Sequence, residues 1–370
     1  MILLQTFYFI ILLLMWWCFQ GYFLYLYFFV GKRKEAVSGG GGTDGSFSFS
    51  VVVLSCNERD YIMRKIENLI KLDYPSFSVF FIDASTDGTD RIIAEKIQGR
   101  GNFKLVRAKD KGRSFQINEI LKYVDGDYIL VTDVDAQLTS DALTIIAGEF
   151  RHGAVGVVGG YVKPVTSYSL DMIFWRSHNA LKFFETIHGY SPITSGTCYA
   201  FRRGVVESIP EDVWADDVYV PLLAHFKGFG CVYSPFVAVE ELLGPQSLKS
   251  FFYSKVRKSQ DIIKEFLRFL CFIPRMRHNW AVIYLTKLIQ VVFSPLLLIA
   301  IFLLLPYGNS TVFFTIMMFF LCAILLQGFI LRKVTLDRST LLETILVFVM
   351  SEVIIFVALM RHLLSRHRNQ

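Results

Sequence analysis

The sequence predicts an α/β domain with a mainly parallel sheet, flanked on both sides by transmembrane α-helices. Hydrophobic residues make up 53% of the 370 residues, and the mean hydropathy of +0.44 is higher than expected for an ordinary soluble domain. Apolar stretches without charge lie near both ends of the chain. Between them, strand and helix patterns alternate, which is typical of parallel α/β sheets.

The N-terminal apolar stretch covers residues 2–30 without a charged residue, and a helix needs about 20 apolar residues to cross a bilayer. It is too long for a signal peptide and lacks a small-residue cleavage site. The basic run "KRK" follows at once and places the next segment in the cytoplasm. We therefore predict a transmembrane helix over residues 1–31 and a flexible, glycine-rich linker over residues 32–46.

A second apolar block covers residues 288–331 and is broken by "PYGNS", which predicts two helices joined by a turn. Residues 341–360 form a further apolar segment. We predict a C-terminal transmembrane region of about three helices over residues 280–370, preceded by an interfacial amphipathic helix over residues 259–279. With four spans, the basic tail would end outside, against the usual charge bias, so the side of the tail stays open.

Two charged residues near these apolar segments need an explanation. Lys287 is expected to extend its ammonium to the cytoplasmic headgroups. Glu352 lies inside an apolar segment, where an ionisable group is by default a functional candidate. We interpret Glu352 as a structural polar contact between helices.

The middle of the chain, residues 47–258, is predicted to be a cytoplasmic domain. The runs "FSVVVLS", "SVFFI", "FKLVRA" and "DYILVTD" are predicted strands, and helical patterns separate them. This order indicates a doubly wound parallel sheet, which binds its ligands at the carboxyl ends of the strands.

Composition excludes several other functions. The six cysteines are scattered without a paired Cys or Cys/His spacing, so neither a zinc site nor a disulfide framework is expected. The net charge of +6 is modest, and the basic residues gather beside apolar segments. This pattern indicates membrane lipid headgroups or phosphates as partners, and nucleic acid is not expected.

Polar side chains follow three of the predicted strands at their carboxyl ends. Asn57 and Glu58 follow the first strand, Asp83 follows the second, and Asp133 and Asp135 follow the fourth. Residues two apart in an extended segment share a face, so the last two carboxylates can point to one place. That arrangement suits Mg²⁺ or Mn²⁺ bridging phosphate oxygens. The alternative is a solvated acidic turn.

Seven motifs in order carry a resemblance: "VVVLSCNE", "IDASTDGT", "KGRSFQIN", "VTDVDA", "SPITSGTCYAFRR", "WADD" and "KVRK". The chain resembles family 2 glycosyltransferases with a GT-A nucleotide-sugar-binding domain. Its membrane frame is similar to that of hyaluronan, cellulose and poly-N-acetylglucosamine synthases and ceramide glucosyltransferase. The resemblance implies inverting transfer from a nucleotide-diphosphate sugar with Mg²⁺ or Mn²⁺. A UDP-sugar is favoured over a GDP-sugar as the donor, because UDP-sugars are the commoner donors in this family.

The resemblance also implies roles for individual residues. Those expected to bind the nucleotide sugar are Asn57, Glu58, Asp83, Lys111, Arg113 and Asp133. In "IDASTDGT", Asp87 and Thr89 would build the turn and cap the next helix. Asp133 and Asp135 match the DxD motif, with Asp135 the stronger candidate for direct metal ligation.

In "WADD", Asp217 falls where the family has its catalytic base, which takes the proton of the attacking hydroxyl. Asp216 stands where Glu is frequent in the family. The alternative is that either aspartate caps the following helix. Residues expected near the acceptor are Ser195, Gly196, Thr197, Trp214 and Asp216.

Arg257 matches the arginine of the family's QxxRW motif and is expected to stabilise the departing diphosphate during catalysis. Ser254 and Lys258 replace its glutamine and tryptophan. That motif is associated with processive, polymer-extruding members, so the replacement weighs against processivity. The neighbouring lysines are interpreted as a lipid-binding patch.

The protein is therefore predicted to be a multi-pass integral protein of the cell membrane with a cytoplasmic catalytic domain. It would transfer a hexosyl or N-acetylhexosaminyl group to a lipid-linked or membrane-proximal glycan acceptor. The alternatives are a processive polysaccharide synthase that extrudes its polymer and, in a different class, a non-catalytic membrane scaffold. The sugar, the acceptor and the oligomeric state stay open.

Overall fold

The computed structural model describes residues 2–26, 28, 47–166, 168–188, 191–304, 314, 318, 321 and 341–368. The chain divides into two compact units. The sheet unit comprises Arg33–Trp175 and Tyr190–Gln246. The helical unit comprises Met1–Lys32, Arg176–Gly189 and Ser247–Gln370.

The strands are β1 (Phe49–Ser55), β2 (Phe77–Asp83), β3 (Phe103–Arg107), β4 (Tyr128–Asp133), β5 (Ala136–Leu138), β6 (Val155–Pro164), β7 (Cys198–Arg202) and β8 (Gly230–Glu241). The helices are α1 (Ile2–Trp16), α2 (Tyr22–Tyr25), α3 (Ile62–Ile70), α4 (Thr89–Lys96), α5 (Arg113–Ile120), α6 (Ala142–Phe150), α7 (Ser169–His188), α8 (Asp216–Phe226), α9 (Leu248–Arg268), α10 (His278–Leu288), α11 (Ser294–Leu304) and α12 (Leu341–Arg368).

The strands form one sheet in the order β3-β2-β1-β4-β7-β6-β8-β5. The predicted parallel pairing is confirmed for β3, β2, β1 and β4. β7 runs antiparallel to both β4 and β6, and β5 runs antiparallel to β8. The expectation of a mainly parallel sheet therefore holds for the first half, whereas the second half is mixed.

Both faces of the sheet are covered, which explains why β1 is buried throughout. Val51 and Val53 pack in one core cluster that includes apolar residues of α3 and α6. Val52 and Leu54 point the other way, into a cluster that includes residues of α5 and α8. Alternate residues of a strand face opposite sides, and helices on both sides make each of those sides a core.

In the helical unit, α9 runs from Leu248 to Arg268 and begins with a capping box between Ser247 and Ser250. The predicted boundary between residues 258 and 259 falls inside this helix. The predicted interfacial role of the segment stays a prediction.

Within the described residues, two helical stretches are long and apolar enough to cross a membrane, His278–Ile301 and Ile345–Leu364. A shorter apolar helix covers Leu3–Trp16, and α1 continues through a π-helical turn into α2. Most of the predicted helix after "PYGNS" lies outside the described residues. The four predicted spans therefore stay a prediction, with two of them matched by long apolar helices.

The prediction for Lys287 is wrong. Its ammonium lies 2.6 Å from the Glu185 carboxylate, and both side chains are buried. The Tyr22 hydroxyl donates to the same carboxylate oxygen. A buried charge is stable when an opposite charge and hydrogen bonds compensate it, so Lys287 connects helices of this unit.

The structural interpretation of Glu352 is confirmed. The Ser294 hydroxyl at the start of α11 donates to the Glu352 carboxylate on α12 over 2.8 Å. Glu352 is buried, and its contact therefore joins two helices, as a polar group in an apolar bundle requires.

Candidate functional site

The polar residues predicted at the strand ends do lie at one edge of the sheet. Ser55, the last residue of β1, pairs with Asp83 of β2, and Leu54 pairs with Asp133 of β4. Because the three strands are parallel and neighbouring, their carboxyl ends and the loops that follow them come together.

The turn after β2 is organised around Asp83, whose side chain is 4% exposed. Its carboxylate accepts hydrogen bonds from the Ser55 hydroxyl (2.6 Å), the Ser85 hydroxyl (2.6 Å) and the Ser85 amide (3.1 Å). Asn57 lies alongside with a φ of 60°, and its side-chain oxygen accepts from the Thr86 amide. The hydrogen bonds of Asp83 and Asn57 thus fix the loop after β2 against the end of β1.

The predicted turn is present and leads into α4, with Gly88 at the N-cap position and no side-chain capping bond there. The Asp87 carboxylate accepts from the amide and hydroxyl of Thr89 at 3.0 and 2.6 Å, at the start of α4. Gly88 between them has a φ of 90°, a conformation that glycine adopts at little cost. The Thr89 hydroxyl also accepts from the Glu58 amide, which holds the loop after β1 against this turn.

A cavity of about 260 Å³ opens beside Asp83. Its lining includes Asp83, Ser85, Asp90, Arg107, Lys109 and Lys111. Lys111 lines this cavity, and its predicted place in the donor cleft stays a prediction. Acidic and basic side chains face the same space, so the cavity suits a polar ligand that carries phosphate.

Three carboxylates gather where β4 ends. Burial, together with the negative charges of Asp135, Asp133 and Asp87, raises the pKa of Glu58 to about 7. Val134 is buried, so the flanking aspartates point away from the core. Mutual repulsion of this kind marks a place where a cation would be stabilised.

The residues present fit a cation that is shared with a ligand. Within the described ranges, no three metal-ligating side chains form a group that could hold an ion unaided. Mg²⁺ and similar ions are commonly bound by one or two carboxylates together with substrate phosphates. Asp133 and Asp135 could supply the protein's share.

Arg113, at the start of α5, joins the metal motif to the "WADD" motif. Its guanidinium lies 2.6 Å from the Asp133 carboxylate and bonds both oxygens of Asp216 at 2.7 and 3.1 Å. It also donates to the Gly196 carbonyl. Burial opposes the charge of Arg113, yet Asp133 and Asp216 outweigh it and raise its pKa well above the ordinary value.

The prediction that Asp216 contacts the acceptor is not supported by this geometry. Asp216 is 1% exposed, and besides Arg113 it accepts from the Tyr199 hydroxyl at 2.5 Å. Burial and the Asp216 charge raise the pKa of Tyr199 well above its ordinary value, which keeps this hydroxyl protonated. We therefore assign Asp216 to holding Arg113 in place.

Asp217 lies in the first turn of α8 and is half-buried. Its carboxylate accepts from the Gly196 amide at 2.9 Å, and its backbone carbonyl accepts from the amide and hydroxyl of Thr194. A side chain on Gly196 would begin 3.7 Å from the Asp217 oxygen. The loop before β7 and the start of α8 thus fix the position of the proposed base.

The remaining predicted acceptor residues differ in exposure. Ser195 and Thr197 are buried, and the Ser195 hydroxyl donates to that of Thr197. Trp214 is 54% exposed, and its ring lies 3.9 Å from the position a side chain on Gly112 would take. Trp214 is therefore an exposed aromatic surface next to the Arg113 loop, and the acceptor roles stay predictions.

Arg257 belongs to the helical unit. It lies on α9, its side chain is 66% exposed, and its guanidinium is 3.9 Å from the Asp261 carboxylate one turn later. Exposed pairs of this kind contribute little to stability. The predicted contact of Arg257 with a departing diphosphate stays a prediction.

Two residues of the site were missed by the reading of the sequence, Tyr199 and Lys65. No sequence pattern indicates Tyr199, because its contact with Asp216 forms only in the folded structure. Lys65 did give one. It falls at helical spacing among Ile62, Ile66 and Leu69, the buried face of α3, where a lysine is unusual.

Comparison with known proteins identifies one domain of the chain. Residues 50–209 match the profile described as Glycosyl transferase family 2. The chain contains a glycosyl transferase family 2 domain. The resemblance drawn from the motifs is thereby confirmed.

Two relatives show the range of this family. The chain is 36% identical over 220 residues to a beta-monoglucosyldiacylglycerol synthase of Nostoc sp., a match covering 53% of this chain and 46% of that protein. It is 26% identical over 220 residues to a poly-beta-1,6-N-acetyl-D-glucosamine synthase of Staphylococcus aureus, covering 56% and 53%. The matches thus span about half the length of these relatives.

Among solved structures, the chain is similar to a mannosyltransferase from Pyrobaculum calidifontis in complex with GDP-Man and Mn²⁺. The TM-score is 0.68 at 21% identity, and the match covers 98% of this chain and 97% of that one. At this identity the likeness concerns the fold, and it confirms a mixed α/β sheet of the GT-A kind.

Proposed function

We propose that the protein is a membrane-anchored, metal-dependent inverting glycosyltransferase. It moves a sugar from a nucleotide-diphosphate sugar to a lipid-linked or membrane-proximal acceptor. The family 2 domain supports the reaction class. One observation carries the assignment to these residues: Arg113 bonds Asp133 and Asp216 at once, while the neighbouring Asp217 is held by Gly196.

The arrangement of the residues supports a role for each of them. Asp133 and Asp135 would hold the cation, and the turn at Asp83 and the cavity lined by Lys111 would hold the nucleotide. Arg113 connects the metal motif to the helix that carries Asp217. The donor's anomeric carbon would therefore lie between the diphosphate site and the base, which is what a single displacement needs.

The reaction is a single displacement at the anomeric carbon. Asp217 takes the proton of the acceptor hydroxyl, whose oxygen forms the new bond to that carbon. The bond from the carbon to the donor phosphate oxygen breaks, and the nucleotide diphosphate leaves with the electron pair. Bound Mn²⁺ or Mg²⁺ supplies positive charge for the departing diphosphate.

The acceptor is proposed to be a lipid. The helical unit offers two helices long enough to cross a membrane, and the Nostoc relative is named a synthase of a glycosylated diacylglycerol. The replacement of the QxxRW motif by Ser254 and Lys258 also favours one or few additions. The catalytic domain is proposed to face the cytoplasm, because basic residues follow the first apolar helix.

The second candidate is a processive polysaccharide synthase. The Staphylococcus aureus relative is named for such a polymer, which favours this reading despite its lower identity. The two candidates share the donor site and differ in product length.

A donor assay tests the proposal. Detergent-purified full-length chain is incubated with diacylglycerol and with UDP- and GDP-sugars in turn, with Mn²⁺ or Mg²⁺, and released nucleotide is measured. We expect turnover with one donor, which ends when the cation is chelated, and a product carrying one or few sugars. Long polymer would favour the second candidate, and no turnover with any donor would favour a scaffold.

A further inference from the structure

Lys65 is a buried cation that the proposed reaction does not use. It lies on α3 with 0% exposure, whereas lysines are almost never fully buried unless they are paired. Its ammonium donates to the Thr132 hydroxyl at 2.9 Å and to the Ala136 carbonyl at 2.5 Å. Neither acceptor is a carboxylate, so an ordinary salt bridge does not explain its position.

The two acceptors lie at opposite ends of the metal motif. Thr132 precedes Asp133 at the end of β4, and Ala136 follows Asp135 at the start of β5. One ammonium therefore ties together both ends of the loop that carries the two predicted metal ligands. A neutral apolar side chain could fill the same space but could not donate these hydrogen bonds.

The connection continues to the proposed acceptor loop. The Thr132 hydroxyl donates to the Thr197 carbonyl at 3.1 Å, and the Asp133 amide donates to the same oxygen at 3.1 Å. Lys65 thus fixes Thr132, and Thr132 fixes the segment that carries Gly196, the partner of Asp217.

Charge gives a second reason for a lysine here. Burial lowers the pKa of Lys65, and the negative charges of Asp133 and Asp135 oppose this effect, so that the pKa falls only to about 8. A fixed positive charge under the loop offsets the repulsion between the carboxylates before a cation arrives. The loop can then hold one conformation with and without the cation.

We propose that Lys65 is a positioning residue for the divalent cation. It preorders the loop from Asp133 to Asp135 and so lowers the cation concentration that the enzyme needs. Because Lys65 is fully buried, it acts through Thr132 and Ala136 and touches no substrate. The role concerns the same cation as the proposed function and rests on it.

The test compares Lys65→Met with a matched control. Methionine keeps the length of the side chain and loses the donors. The control is Asn68→Leu, one turn later on α3. The side chain of Asn68 bonds the backbone of Leu138 in β5, beyond the metal loop, and the leucine loses these bonds. Protein-bound Mn²⁺ is measured by electron paramagnetic resonance with UDP and separately with GDP, against nucleotide blanks.

We expect Lys65→Met to raise the Kd for Mn²⁺ about tenfold, since loss of groups that orient metal ligands commonly costs 10- to 100-fold in affinity. The half-saturating Mn²⁺ for turnover should rise in parallel, while kcat at saturating Mn²⁺ should change less than about threefold, well below that loss of affinity. Asn68→Leu should leave the Kd unchanged even if it lowers the melting temperature. A general loss of stability would not produce this difference.

Thr132→Val provides a second route, because valine preserves the shape and removes the hydroxyl that links Lys65 to the loop. If Lys65→Met does not fold, a raised Kd in Thr132→Val supports the role, and an unchanged Kd overturns it. In folded Lys65→Met, an unchanged or smaller Kd overturns the role alone. Absence of Mn²⁺ binding by the native protein would overturn the metal-dependent function and this role together.

Discussion

Replacing Asp217 by asparagine is expected to lower kcat for sugar transfer by about 10³-fold, within the range that general-base catalysis supplies. The amide cannot take the proton of the acceptor hydroxyl. Its oxygen can still accept the hydrogen bond from the Gly196 amide, now made at 2.9 Å, so the site should keep its shape. The measurement is the rate of nucleotide release at saturating donor and Mn²⁺.

Two controls separate lost chemistry from lost binding. The Kd for the nucleotide, measured by calorimetry, should be the same in Asp217→Asn and the native protein. Asp141→Asn changes an exposed aspartate directly before α6, to which no role in the reaction is assigned, and should leave turnover unchanged. Native-like turnover in Asp217→Asn would show that another group acts as the base.

Replacing Arg113 by methionine is expected to destabilise the sheet unit by about 3–5 kcal/mol, the usual cost of breaking a buried ion pair. Arg113 is 26% exposed at its side chain and compensates Asp216, which is 2% exposed at its own. Without the guanidinium, that carboxylate stays buried with Tyr199 as a neutral donor. Thermal unfolding in detergent should show a large fall in melting temperature, and turnover should be lost.

The control for Arg113 is Arg107→Met. Arg107 also lies 2.6 Å from a carboxylate, that of Asp90, but its side chain is 77% exposed. Exposed pairs contribute about 0–1 kcal/mol, so this variant should unfold close to the native temperature. Arg113→Lys should fall between the two, since lysine keeps the charge and loses the fork that bonds both oxygens of Asp216. Equal melting temperatures of Arg113→Met and the native protein would contradict the role of Arg113 in compensating Asp216.

The sequence was sufficient to predict β1 to β4 and the helices between them. β1, β2 and β4 are mostly buried runs, because helices cover both faces of the sheet, whereas β3 is shorter and carries Lys104 and Arg107. The second half was not predicted in detail. β7 lies between β4 and β6 and runs antiparallel to both, and such pairing depends on partners far away in the sequence.

In the site, too, local sequence patterns predicted some residues, whereas contacts between distant residues were not predicted. Asp83, Asp133 and Asp135 could be predicted because a strand end positions them. The pair between Arg113 and Asp216 joins residues 103 positions apart, and no local pattern indicates it. The pair of Lys287 with Glu185 was missed for the same reason, and composition alone favoured a surface position. Lys65 was the exception, since its place on an apolar helix face was visible in the sequence.

The most direct test of the account is the structure of the glycosylated lipid made by the native protein. The donor found in the nucleotide assay is supplied with diacylglycerol and Mn²⁺, and the product is examined by mass spectrometry and by NMR of the anomeric carbon. The account requires one or few sugars per lipid, with a configuration opposite to that of the donor, and no product after chelation. Retained configuration, or product formed equally in Asp217→Asn, would contradict it.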